Sequence, residues 1–115
     1  MKCRRGDVVL VLYPDSNLRT AKRRPALVIQ ADNLGTNLPQ TIIAMISSNL
    51  ARGGHPSRVT VALASPDGRR SGLRTDSVVM ADNLATVLDT EIDRAIGSLA
   101  GYTAVNDALR HTLGL

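Results

Sequence analysis

Short aliphatic and β-branched runs recur along this chain, each cut off by residues that turn a backbone. Val8-Val9-Leu10-Val11-Leu12 ends at Tyr13-Pro14-Asp15-Ser16-Asn17, Pro25 to Ala31 ends at Asp32-Asn33-Leu34-Gly35, and Thr41 to Ser47 ends at Ser48-Asn49. Runs of this length, bounded by Gly, Pro, Asn, Asp and Ser, predict strands. Arg58 to Leu63 alternates polar and apolar residues, the pattern of a half-exposed strand, and Ser77 to Val87 supplies another long candidate. Between them, Arg52-Gly53-Gly54-His55-Pro56 holds too much glycine for an element interior, and Ser65-Pro66-Asp67-Gly68 predicts a turn. Asp89-Thr90-Glu91 is expected to open a short helix through Ile96, ended by Gly97. Thr103 to Leu113 is the clear amphipathic helix, with Val105, Ala108, Leu109, Thr112 and Leu113 on one face and Gly114 as its stop. Several short strands followed by one docked helix predict a mainly β fold with short helices: a small, curved antiparallel sheet or barrel with a C-terminal helix.

A chain of 115 residues suits one domain spanning residues 1–115. Its 43% apolar and 21% charged content is that of a globular protein and argues against a disordered chain. Phe and Trp are absent, and Tyr13 and Tyr102 are the only aromatic residues besides histidine, so the core has to be aliphatic and base stacking is restricted. Cys3 is the sole cysteine, which rules out an internal disulfide or a zinc cluster built on thiolates and fits a reducing cytoplasm. The basic start Met1-Lys2-Cys3-Arg4-Arg5 is followed by an apolar run only from Val8 to Leu12, so neither an export signal nor a membrane span is expected.

Charge is unevenly placed. Of the fourteen Lys and Arg residues, Lys2, Arg4, Arg5, Arg19, Lys22, Arg23 and Arg24 lie in the first 24 positions, opposed there only by Asp7 and Asp15. Such an end suits a polyanionic partner, although a solvated basic face has the same composition. Arg24 stands immediately before Pro25, and a residue so placed is steered into extended geometry. Its guanidinium is then aimed at the mouth of a strand, with a planar fork of donors suited to phosphate. The connection from Tyr13 to Arg24 is long for a hairpin and is expected to be mobile and to cover a binding surface.

Four segments in order carry a family resemblance: Arg5-Gly6-Asp7-Val8-Val9, Arg24-Pro25-Ala26-Leu27-Val28-Ile29-Gln30, Ile43 to Ser47, and Gly72-Leu73-Arg74-Thr75-Asp76-Ser77-Val78-Val79. Together they resemble the MazF/PemK toxin endoribonucleases of type II toxin-antitoxin systems. The resemblance implies an Src-homology-3-like barrel that forms a homodimer, requires no cofactor or metal, cuts single-stranded mRNA at short sequences and is silenced by a cognate antitoxin. It also implies a chemistry in which the ribose 2′-hydroxyl attacks phosphorus and leaves a cyclic phosphate and a 5′-hydroxyl. Arg24 corresponds to the arginine before the family's proline, and Ser47 to the threonine or serine that ends its third strand.

Those two are the expected catalytic pair, because preorganised donors on the non-bridging oxygens stabilise the charge built during in-line attack. An arginine is a poor base, which leaves removal of the 2′-proton unassigned. Asp82 and Asp76 are candidates for it, Asp82 because the family often keeps an acid at the corresponding strand position. A bland alternative for Asp76 is a hydrogen bond to a turn. Arg19, Lys22, Arg23, Arg52, His55 and Arg74 are the expected RNA-binding residues, from the two loops and the fourth segment, although a solvent-exposed role is the ordinary one for a loop histidine such as His55. The first loop carries Ser16-Asn17-Leu18-Arg19 where many relatives have Gly-Ser-Glu-Gln, and Met80 stands where some have arginine. Two other readings are a gyrase poison like CcdB, which the missing Trp-Gly-Ile terminus disfavours, and an RNA-binding module without catalysis.

Overall fold

A computed structural model describes residues 3–14, 19, 21–99 and 101–115, the side chains of residues 13, 14 and 21 excepted. Six strands form one antiparallel sheet: β1 (Asp7–Pro14), β2 (Ala21–Val28), β3 (Gln40–Ser47), β4 (Arg58–Val61), β5 (Ser77–Leu88) and β6 (Ile92–Ser98). Their spatial order is β4-β5-β3-β2-β1-β6. A short helix, α1 (Pro66–Arg70), joins β4 to β5, and α2 (Thr103–Leu113) closes the chain. This is the curved antiparallel sheet with a C-terminal helix that the strand pattern predicts.

Both faces of the sheet are buried. One side packs Val8, Leu27, Ala44, Ile46 and Val79 against Val105, Ala108 and Leu109 of α2. Val9, Val11, Ala26, Val28, Ile43, Met45 and Met80 fill the other side. The buried members of this second cluster come from β1, β2, β3 and β5, with Cys3 and Ile92 of β6 packed against them, so the sheet must curl to enclose it. Burial on both faces explains why β1 and β3 are near-continuous apolar runs rather than alternating ones.

Curvature comes from irregular pairing. On β5, Met80 pairs with Met45 and Leu84 with Ala44, which leaves Ala81, Asp82 and Asn83 as extra residues. On β6, Leu10 faces Arg94 while Val11 faces Ile92, making Asp93 extra, and the partners of Val8 and Val9 leave out Ile96 in the same way. Bulges of this kind bend the strand and re-aim its side chains.

Several local expectations are corrected. The connection expected from Tyr13 to Arg24 is shorter, because β1 and β2 continue pairing out to Tyr13 with Lys22 and Pro14 with Ala21. Lys22, Arg23 and Arg24 therefore lie within a strand and not ahead of it. Ser16, Asn17 and the rest of residues 15–18, with residue 20, are outside the described residues, so the expected loop cover is not described. Ser65 caps α1 by accepting from the Gly68 amide at 3.0 Å, so the expected turn extends into a helix with Pro66 in its first turn. The short helix expected through Ile96 is only a 3₁₀ turn over Asp89–Glu91, after which the chain runs as β6.

α2 ends as predicted, with Gly114 left-handed at φ 71° and its amide bonded to the Arg110 carbonyl. Its start is fixed to the sheet. The Tyr102 hydroxyl donates to the Val28 carbonyl at 2.9 Å, the Arg5 guanidinium lies 4.5 Å from that ring's centre, and Arg5 also donates to Asn106 Oδ1.

Candidate active site

The site is a consequence of one proline. The Ile29 amide donates to the Ile42 carbonyl, and the ladder continues through Leu27 opposite Ala44. Hydrogen-bonded pairs recur at every second residue of an antiparallel ladder, so the next would join residue 25 to Ile46. Pro25 has no N–H to give, and the paired register stops at Ala26 opposite Met45. Beyond that point β2 and β3 part. By strand alternation Arg24 and Ser47 belong to the face that carries Ala26 and Met45, and both line the opening where the strands separate.

The opening is a groove of about 680 Å³. Because it crosses the end of the sheet where the strands separate, it takes residues of both parities: Arg24 and Ser47, and also Pro25 and Ile46. Leu73, Arg74 and Thr75 line it from the segment after α1, and Arg94 and Ile96 from β6. Its ionisable lining residues are Lys22, Arg23, Arg24, Arg74 and Arg94; no carboxylate or imidazole lines it among the described residues.

The segment after α1 is held in place by close backbone contact. A Cβ on Gly72, whose φ is +73°, would collide with the Ile96 carbonyl, and one on Gly97 with the Arg70 carbonyl and Ser71. Ser71, fully buried, donates to the Gly68 carbonyl at 2.8 Å and accepts from the Leu73 amide at 3.1 Å. The loop carrying Arg74 is thus clamped on the bulged strand β6.

Arg24 is exposed and has no ion-pair or hydrogen-bond partner among the described residues. Ser47 Oγ accepts from the Asn49 amide at 3.1 Å, the local bond expected of a strand-end serine, and its O–H remains available to donate. Arg23 differs from its neighbour, since its Nε lies 3.0 Å from Asp93 Oδ2.

Residues 4–113 match a family described as PemK-like, MazF-like toxin of type II toxin-antitoxin system. The chain belongs to this toxin family. It is 33% identical over 107 residues to endoribonuclease MazF6 of Mycobacterium tuberculosis, covering 90% of each protein. It is 31% identical over 118 residues to endoribonuclease EndoA of Bacillus subtilis, covering 100% of this chain and 97% of the relative. The fold is similar to that of a mycobacterial endoribonuclease solved in complex with its cognate antitoxin, with TM-score 0.75 at 22% identity, covering 99% of this chain and 97% of that one.

In this MazF-like toxin the two candidate acids for the 2′-proton do not line the groove. Asp82, in the β5 bulge, receives a forked pair of bonds from Arg58, at 3.2 Å from Nε and 3.0 Å from Nη2. The Arg58 hydrogen bonds hold its carboxyl below the ordinary carboxylate range, which makes it a still weaker base. Asp76 accepts from the Leu63 amide at 2.8 Å, the bland alternative, and fastens the segment after β4.

Arg52 and His55 also lie outside the groove lining. Arg52 Nη1 approaches Met80 Sδ at 3.9 Å, and its carbonyl accepts from Arg58. His55 Nδ1 accepts from the Ser57 amide at 3.1 Å, and its ring meets His111 edge to face at 5.7 Å. Arg19 is exposed and does not line the groove. Lys22, Arg23 and Arg74 do line it.

Sequence reasoning missed Arg94. It stood in a stretch taken for helix, and only its strand register beside Leu10 brings it to the groove.

Proposed function

We propose that this toxin is a single-stranded RNA endonuclease that cuts mRNA in the groove between β2 and β3, with Arg24 and Ser47 as its catalytic residues. The observation that supports this reading is the opening itself: the paired register of β2 and β3 ends at Ala26 opposite Met45, and Arg24 and Ser47 both line the groove beyond it. In the proposed reaction the ribose 2′-oxygen forms a bond to phosphorus and the bond from phosphorus to the 5′-oxygen breaks. Arg24 and Ser47 donate to the non-bridging oxygens, whose charge grows on the way to the phosphorane. The 2′-proton passes to solvent base, since the groove offers no carboxylate or imidazole among the described residues, and the leaving 5′-oxygen takes a proton from water.

Lys22, Arg23 and Arg74 would hold flanking phosphates, and specificity would lie partly in the segment around Arg19. The toxin is expected to act as a cytoplasmic homodimer, and no helix among the described residues is long and apolar enough to cross a membrane. A cognate antitoxin is its expected inhibitor, with an acidic or apolar tail seated in the same groove. The solved complex of the mycobacterial relative with its antitoxin supports such a partner.

The test is primer extension across a long defined RNA incubated with purified protein in the presence of chelator. Discrete cuts with 5′-hydroxyl ends are expected, and Arg24→Ala should reduce cutting by roughly 10²-fold or more with an unchanged melting temperature. Full cleavage by that variant would refute the mechanism.

A further inference from the structure

We propose that Arg94 is an additional RNA-binding residue of this toxin, gripping a phosphate next to the scissile one and so positioning the strand for Arg24 and Ser47. The inference rests on the groove being the RNA site. It goes beyond that reading by assigning the opposite wall of the groove, on a strand that none of the expected RNA-binding residues occupies.

Three observations converge. Arg94 pairs across β1 with Leu10, which in turn pairs with Pro25, so Arg94, Leu10 and Pro25 form one cross-strand row. Neighbouring strands lie about 4.8 Å apart, so the Arg94 backbone stands roughly 10 Å from the proline that opens the site. A long, flexible side chain spans much of that distance.

Secondly, Arg94 is exposed and has no ion-pair or hydrogen-bond partner among the described residues. The adjacent carboxylate, Asp93, is turned instead to Arg23, on the other side of β1. The acid next to Arg94 in sequence thus serves a different cation.

Thirdly, the backbone is shaped for this arrangement. Asp93 and Ile96 are the two extra residues of β6, and Arg94 and Ala95 are the pair held in register between them. The first bulge releases Asp93 toward Arg23, and the second presents Ile96 to Gly72, whose missing Cβ allows the contact. Arg94 is therefore fixed in register by the same irregularities that clamp the loop bearing Arg74.

The experiment uses an RNA whose cut site has been mapped with the wild-type toxin, resynthesised with a 2′-deoxy nucleotide there so that it binds without cleavage. Binding is measured by fluorescence anisotropy from 50 to 300 mM salt, in roughly the range where phosphate contacts lose affinity steeply. Arg94→Ala should weaken binding about tenfold at low salt and reduce the slope of log K against log salt by about 0.7, the single-strand value for one phosphate. Arg94→Lys should recover most of the slope and only part of the affinity, because it keeps the charge without the fork. With the all-RNA substrate, Arg94→Ala should raise KM and leave kcat within about threefold. An unchanged salt slope in Arg94→Ala, with the same melting temperature as wild type, overturns the assignment while the RNA site stands. Failure of the wild-type toxin to bind the RNA overturns both.

Discussion

Replacing Asp82 by Asn separates a structural acid from a catalytic one. If Asp82 took the 2′-proton, its removal would cost the 10²- to 10⁴-fold that a positioned general base contributes. The structure assigns it instead to Arg58, with two hydrogen bonds at 3.0 and 3.2 Å and side-chain exposures of 29% and 33% for Arg58 and Asp82. Partial exposure places the pair near the top of the range for surface ion pairs, about 1 kcal/mol, rather than among buried ones. For a chain of this size that corresponds to a fall in melting temperature of roughly 4 °C. The sign with pH follows from the lowered pKa of Asp82. A depressed folded value stabilises the fold above the unfolded value near 3.9, and that contribution is lost as the pH falls through the folded value. Thermal melts of wild type and Asp82→Asn should therefore differ at pH 7, converge as the pH is brought below about 4, and differ less in high salt. Cleavage by the variant at pH 7, well below its melting temperature, should stay within about threefold of wild type. A drop of 10²-fold or more with an unchanged melting temperature would refute the structural assignment and restore Asp82 as the base.

Pro25→Ala restores an N–H facing the Ile46 carbonyl, so the ladder should extend by one bond and the groove should narrow. The new bond is worth about 1 kcal/mol, and the looser unfolded chain takes back roughly 0.4 to 1, so the melting temperature should barely move. Cleavage should fall by about tenfold to 10²-fold, the scale of a small displacement of reacting groups. Hydrogen exchange at residue 25 checks the bond, and a freely exchanging amide with full activity would contradict this account of the opening. Ser47→Ala should lower kcat by about 10²-fold and Ser47→Thr should retain it. Stability should change by less than about 0.5 kcal/mol, because the Asn49 amide that Ser47 caps is exposed and water can replace the serine. Equal activity in Ser47→Ala would remove the hydroxyl from the mechanism.

The framework of the fold was legible where burial leaves a strong mark on sequence. β1, the apolar end of β2 and β3 are enclosed on both faces, and α2 buries a helical stripe, so composition and period both declare them. The basic half of β2 was misplaced for a physical reason. Lys22, Arg23 and Arg24 pair only with β1, while their other edge looks into the groove, and charges are tolerated on such an edge. β6 was hidden because two bulges destroy its two-residue alternation and most of its side chains are at least partly exposed. Arg94 went unseen along with it. Arg24 and Ser47 were singled out from local context and family resemblance; that both line one groove depends on where β2 and β3 cease to pair, which no local signal encodes.

The distribution of acids explains how a chain of net charge +4 can present a concentrated anion site. Asp82 is engaged with Arg58, Asp107 with Arg110, and Asp93 with Arg23. Asp7, Asp32 and Asp76 accept backbone amides, and Asp89 accepts the Thr41 hydroxyl. These carboxylates are thus committed to turns and ion pairs, and among the described residues Arg23 is the groove cation that has an ion-pair partner. Lys22, Arg24, Arg74 and Arg94 repel one another across a shared space, a cost to the free fold that an entering polyanion relieves. On the proposed reading, RNA binding would gain from both phosphate contact and relief of that repulsion. An acidic protein segment seated in the groove would draw on the same source, so inhibition by such a segment would need no second site.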